Sequence, residues 1–262
     1  MSDRAALSSE APRLSETLAG TRPTLVIAGA YAVVIVAAEA VAAFVAPVPA
    51  ATIDAIVLTA LLGHYVASGT RVYAALALVP LLRMTSIAVA AAQPLSFYFV
   101  GGIPVLLAAV LAADALDLPG VLRLDQIRLR SQWHVALGAV ALGGFATPLL
   151  GLDPLIGDRS LPAVVGAAVI VFAFAGVLEE LVFRGILQGA SAPLLGAWSI
   201  PAANGLFAAT YLGCGSAAYG AFMAAFGLAC GWWVNRTRSL AGAAVAHGLL
   251  AAGLLVVWPV LL

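Results

Sequence analysis

After a polar opening stretch, the chain is a succession of long apolar runs separated by short clusters of Gly, Pro and charged residues. The runs fall at 24–46, 50–68, 71–93, 97–116, 133–152, 161–189, 198–213, 217–235 and 239–261. Each is close to the ~20 residues a helix needs to cross ~30 Å of hydrocarbon. They are continuous rather than alternating, which argues against barrel strands, and a helix satisfies its own backbone hydrogen bonds in lipid. The pattern predicts an all-α fold, a polytopic membrane bundle of about eight to nine transmembrane helices. Abundant Gly and Ala suit close helix packing in a bilayer.

Composition reinforces this pattern. Of 262 residues, 63% are hydrophobic and 9% charged, and the mean hydropathy is +1.09. The expected partner is therefore the lipid bilayer, and the zero formal charge gives no basic field for nucleic acid. Residues 1–22 are polar and mixed in charge, without the apolar centre of a signal peptide, and read as a flexible cytoplasmic tail. Residues 23–262 then form a single membrane domain. Cys214 and Cys230 lack CxxC spacing and support neither a disulfide framework nor a zinc cluster.

All the basic residues are arginine, a coding bias that points to a GC-rich prokaryotic genome and so to a multi-pass protein of a prokaryotic cell membrane. A cytoplasmic N-terminus followed by nine crossings puts Arg4, Arg13, Arg22, Arg71, Arg123, Arg128, Arg130, Arg236 and Arg238 on the cytoplasmic side, and only Arg159 outside. Residues 117–132, with Leu and Ile among arginines, are expected to lie at the cytoplasmic interface.

Against this background the charges in AGVLEELVFRGILQG, residues 175–189, need a reason. A charge at the bilayer centre costs at least ~2.5 kcal/mol on insertion scales. On a helix, Glu180 and Arg184 form an i,i+4 pair in the favourable order of acid before base. Glu179 points about 100° away, without such a neighbour. Taken out of water, it has the setting of a general base.

These residues carry a family resemblance. Glu179-Glu180-Leu181-Val182-Phe183-Arg184 resembles the EExxxR motif of the CAAX prenyl protease and bacteriocin-processing (Abi, or CPBP) family of polytopic intramembrane endopeptidases. LFAATYLG at 206–213 stands where that family has FxxxH, and AVAHGLLAAG at 244–253 where it has HxxxN or a related form. RGILQ after the first motif, GWWVNRTRSLAGAAVAH before the last histidine and ALALVPLLRM at 75–84 also resemble bacterial and archaeal members. The resemblance has its core at about 161–262. Two positions depart from it: Tyr211 replaces the histidine of the second motif, and Ala251 the asparagine of the third.

The resemblance implies that Glu179 and His247 activate a water, and that Glu180 and Arg184 support the site. The FxxxH histidine and HxxxN asparagine positions would stabilise the oxyanion. Tyr211 retains a hydroxyl donor for that task and Ala251 does not. At 1.5 Å per residue from the cytoplasmic ends of the runs, Glu179 lies at about 16 Å, His247 at about 12 Å and Tyr211 at about 21 Å, which allows one cavity. Asn204 lies about 10 Å further along its helix from Tyr211, too far to share one oxyanion. The family is often labelled metalloprotease, but the histidines stand only at 64, 134 and 247 and no HExxH occurs. Zinc catalysis usually takes three protein ligands, so the residues favour a metal-free, glutamate-based mechanism without a cofactor.

Among the other polar residues of the runs, Arg83 is expected to pair with Glu39 and hold the first helices together, and a contact with substrate is a second role open to it. His64 and His134 are expected at the interface. The leading expectation for function is an endopeptidase acting on a membrane-associated peptide or protein. An impaired family member, serving as a membrane scaffold or in bacteriocin self-immunity, is the alternative that Tyr211 and Ala251 raise. A small transporter is disfavoured by the ordered motifs and the lack of paired broken repeats.

Overall fold

The structure, a computed structural model, describes residues 3–89, 94–118, 129–213 and 216–262. Among these, all regular structure is helical. The first helices are α1, Asp3–Phe44; α2, Pro47–Ser68; α3, Arg71–Val89; and α4, Pro94–Ala115. They are followed by α5, Leu129–Leu150. Next comes a helical run over 161–195, here α6, in which Phe172–Val177 and Leu181–Leu187 are π-helical and Leu178–Glu180 is α-helical between them. A 3₁₀ turn at Gly196–Trp198 leads into α7, Ser199–Ala209, and then come α8, Ala217–Thr237, and α9, Ala241–Leu261.

Among the described residues, six stretches are long and apolar enough to cross a bilayer: Thr21–Phe44, Pro47–Ser68, Trp133–Leu150, Leu161–Ala209, Ala217–Thr237 and Ala241–Leu261. Val100–Ala115 is a shorter apolar helix. The all-α polytopic bundle is thus as expected, although six such stretches stand where about eight to nine spans were expected, and two segments differ in detail. The backbone of residues 3–20, expected to be a flexible tail, is helical and continuous with the first span. Ala, Leu, Glu and Arg favour helix, and a segment extending an existing helix avoids the cost of nucleation. The expected span at 198–213 has only 11 residues of α-helix, α7. At 1.5 Å per residue that is about 16 Å, half the hydrocarbon thickness, so α7 does not cross by itself. Gly196 makes the bend with φ 55° and ψ −128°, a conformation essentially reserved for glycine.

One cluster of buried apolar side chains extends along the chain from Ile35 to Leu254. The centre of its N-terminal half is α3, where residues 75–79 are all buried. This helix packs against α1, α2, α4 and α6, while α9 packs against α5 and the π-helical part of α6. Small residues allow the second contact: a methyl group on Gly176 of α6 would overlap the backbone of Gly248 in α9. Phe172 in turn occupies the space that a β-carbon on Gly248 would need.

The interfacial segment expected at 117–132 lies largely outside the described residues. At its far end the ring of Trp133 meets that of His134, and His134 meets Trp233.

Candidate active site

The close approach of Gly176 and Gly248 sets His247 against the two glutamates of α6. His247 Nδ1 lies 2.8 Å from Glu180 Oε1. A carboxylate can only accept, so Nδ1 carries the proton and donates it to Glu180. The opposite ring nitrogen, Nε2, faces Glu179 Oε2 at 3.9 Å. The imidazole is fully buried, and Phe207 and Phe226 meet it edge-on.

Glu180 also faces Arg184, with Nη1 3.1 Å from Oε1, as the i,i+4 spacing leads one to expect. The guanidinium lies 4.0 Å above the ring of Phe207 and donates from Nη2 to Asn204 Oδ1 at 3.1 Å. Asn204 in turn donates to the carbonyl of Ala224 at 3.0 Å. Arg184 is thereby held by its own helix, by α7 and by α8, and Gly227 leaves the room, since a β-carbon there would overlap Arg184 and Asn204. Further along α6, Gln188 donates to the carbonyl of Gly231 at 3.2 Å. The order of these contacts makes α6 and α8 parallel, with α7 running back between them.

That return carries Tyr211, just past the end of α7, to Glu179. Its hydroxyl donates to Glu179 Oε2 at 3.0 Å. The carboxylate of Glu180 is completely buried, whereas that of Glu179 is 18% exposed, and the exposure is into a cavity of about 250 Å³. Around it stand Arg83 and Ser86 from α3, Tyr98 and Gly102 from α4, Phe174 and Leu178 from α6, Thr210 and Tyr211 after α7, Tyr219 from α8, and Ala251 and Leu255 from α9.

All five residues singled out in the sequence therefore meet: Glu179, Glu180, Arg184, Tyr211 and His247. Their contacts differ in part from those the resemblance implies. Glu180 not only pairs with Arg184 but also orients His247, a bond across 67 residues that no local spacing reveals. Tyr211 holds Glu179 rather than standing apart from it. Asn204 belongs to the arginine's support. Arg83 forms the expected bond with Glu39, Nε to Oε2 at 2.6 Å, and also reaches the cavity. Thr210, Tyr219 and Tyr98 line it as well, and none stands out in the sequence because each sits among apolar neighbours without a motif of its own.

Among the described residues no group of three or more His, Cys, Asp and Glu side chains is placed to hold a metal ion. In the donor set itself, Glu180 is taken up by Arg184 and by the Nδ1 proton of His247, which leaves only the Glu179 carboxylate and Nε2 of His247 facing each other. These residues do not fit a three-ligand zinc site. His64 accepts or donates a hydrogen bond with the Tyr31 hydroxyl at 2.8 Å, away from the cavity. Cys230 is a free, buried thiol, and Cys214 lies outside the described residues.

Searches of curated proteins and of solved structures give no match. Residues 161–253, the segment that holds both glutamates, Arg184, Tyr211 and His247, match the family described as Type II CAAX prenyl endopeptidase Rce1-like, the family that the sequence motifs indicate.

Proposed function

We propose that this protein is an intramembrane endopeptidase that hydrolyses a peptide bond of a membrane-associated protein or peptide with a water activated by Glu179. The observation that carries this reading is the division between two adjacent carboxylates. Glu180 is sealed between Arg184 and His247, while Glu179 opens to the cavity. A pair that served only to lock helices would have no reason to present one member to a cavity.

In the proposed reaction Glu179 takes a proton from water as the water oxygen bonds to the peptide carbonyl carbon. The carbonyl π electrons move to its oxygen, giving a tetrahedral oxyanion. Collapse of that intermediate restores the C=O bond and breaks the C–N bond. Glu179 returns the proton to the departing amine. His247, with Nδ1 fixed on Glu180, offers Nε2 beside Glu179 and positions the water. Glu180 and Arg184 keep the imidazole in one orientation and balance each other's charge.

The arginine distribution supports a cytoplasmic N-terminus. His247 lies six residues beyond Ala241, about 9 Å into α9 from the end that follows Arg236 and Arg238. The site then belongs to the cytoplasmic half of the membrane. Ala251 is the observation that favours the impaired-scaffold reading, because a methyl group cannot donate to an oxyanion. The two are separated by incubating the purified protein in proteoliposomes with a library of membrane peptides, beside a Glu179→Ala control. Cleavage by the wild type alone is the expected result. Peptide binding without cleavage by either protein would favour the scaffold.

A further inference from the structure

Arg83 of α3 is the one cation among the described residues that line the cavity of Glu179. An arginine inside a membrane is costly, and its pairing with Glu39 offsets part of that cost. The contact is nevertheless made through one donor and one acceptor. Nε donates to Oε2 at 2.6 Å, whereas Oε1 of Glu39 is buried and has no hydrogen-bond partner among the described residues. A guanidinium serving only this carboxylate would engage both oxygens with two parallel N–H groups. Here the Nη end of the fork is turned elsewhere.

That end lies at the cavity. The Arg83 side chain is 19% exposed, against 1% for Glu39. Neither Glu39 nor Asp54, the buried acids of α1 and α2, lines the cavity, while Arg83 does. A β-carbon on Gly213, just beyond Tyr211, would lie 3.8 Å from Nη2, and Gly213 is itself part of the cavity wall. Ser86 stands at i,i+3 from Arg83 and shares its face of α3. The Ser86 hydroxyl donates to the carbonyl of Leu82 at 2.7 Å, which leaves the guanidinium as the donor on that face. The cavity thus has the Glu179 carboxylate at one wall and the Arg83 guanidinium at another, and the rest of its described lining carries no charged side chain.

We infer that Arg83 is a specificity-determining residue whose Nη groups bind a carboxylate of the substrate, supplied by an acidic side chain or by the terminus of the peptide. That the ligand is a peptide rests on the endopeptidase reading above. A guanidinium can bridge two carboxylates, because its five N–H groups point along separate edges of one plane. Glu39 is the positioning residue: its bond to Nε fixes that plane and leaves Nη1 and Nη2 for the incoming oxygens. No covalent bond is made or broken at Arg83. A carboxylate held there tethers the chain in the cavity of Glu179 and presents the nearby carbonyl to the water.

The test uses membrane peptides in proteoliposomes, each synthesised in three forms: with an acidic side chain and an amidated C-terminus, with a free C-terminal carboxylate and no acidic side chain, and with neither. Wild type should cleave a carboxylate form about 10- to 100-fold better in kcat/KM than the neutral form, and the form preferred identifies the source of the carboxylate. In Glu39→Gln/Arg83→Gln, which removes both charges and orphans neither, the ratio should fall to near one. In Arg83→Lys, which keeps the charge but not the fork, it should be intermediate. A purely structural role would lower cleavage of all three forms together and leave the ratio as in wild type, which overturns the inference. A wild type without the preference overturns it as well, and the endopeptidase reading stands if Glu179→Gln abolishes cleavage. Binding of the same three forms needs no turnover and should show the same dependence on Arg83. If wild type cleaves nothing, such a preference in binding keeps the carboxylate site and counts against the endopeptidase reading, and its absence overturns both.

Discussion

Glu179 and Glu180 differ by one position and by their entire surroundings. Glu180 accepts from His247 and faces Arg184 with no exposed surface, so its charge is needed by two buried groups. Glu180→Gln leaves the Arg184 cation without its counter-charge, at a cost of roughly 3 to 5 kcal/mol. Glu179→Gln removes only a charge beside the cavity, and its amide oxygen can still accept from Tyr211. Thermal unfolding in detergent should therefore give a clearly lower melting temperature for Glu180→Gln than for Glu179→Gln, and equal values would contradict these assignments. For activity the emphasis shifts to Tyr211. Tyr211→Phe keeps the ring against Phe207 and Tyr219 but frees Glu179 to turn, and peptidase activity should fall about 10²-fold with the melting temperature nearly unchanged.

Between the residue and the whole molecule, the deciding element is the contact of α6 with α9. Its glycines allow two backbones to meet where leucines would hold them apart, and that approach places His247 within reach of Glu180. The π-helical turn Phe172–Val177, just before Leu178–Glu180, lies in this same contact, as such turns often do at functional sites. Gly176→Ala should lower stability by about 1 to 3 kcal/mol through overpacking, and should reduce activity beyond the fraction unfolded, because any relief moves α9 away from the glutamates. Melting curves and activity measured on the folded fraction check both parts. The motif residues were legible in the sequence because charges in an apolar run demand explanation. Helix spacing alone gave the Glu180 pairing with Arg184. The bond from Glu180 to His247 was not legible, since it depends on how two helices 67 residues apart cross. Tyr98 was hidden for a similar reason: an aromatic in an apolar run looks like core until its helix is placed on α6.

At the scale of the molecule, the apolar runs foretold a membrane bundle, and the boundaries of most helices fall within a few residues of them. Run length overstated α7, because apolar composition continues past Ala209 while the regular helix does not. Shortening α7 leaves the topology expected from the arginines intact. Since α7 returns between the parallel α6 and α8, the pair α7 and α8 brings the chain back to the side on which α6 ends, and α9 then crosses once more. A reporter active only in the cytoplasm should be silent when fused after Leu262 and active when fused before Met1. A strong signal after Leu262 would place both ends on one side and refute this arrangement.

The central claim is that Glu179 directs a water to a peptide carbonyl, and oxygen labelling follows that water directly. Wild-type protein and Glu179→Gln are incubated in proteoliposomes with a membrane peptide in ¹⁸O-labelled water, and the products are read by mass spectrometry. The account predicts that wild type yields a fragment whose new C-terminal carboxyl carries one ¹⁸O, and that Glu179→Gln yields no such fragment while remaining folded. Equal labelled cleavage by both proteins would contradict it.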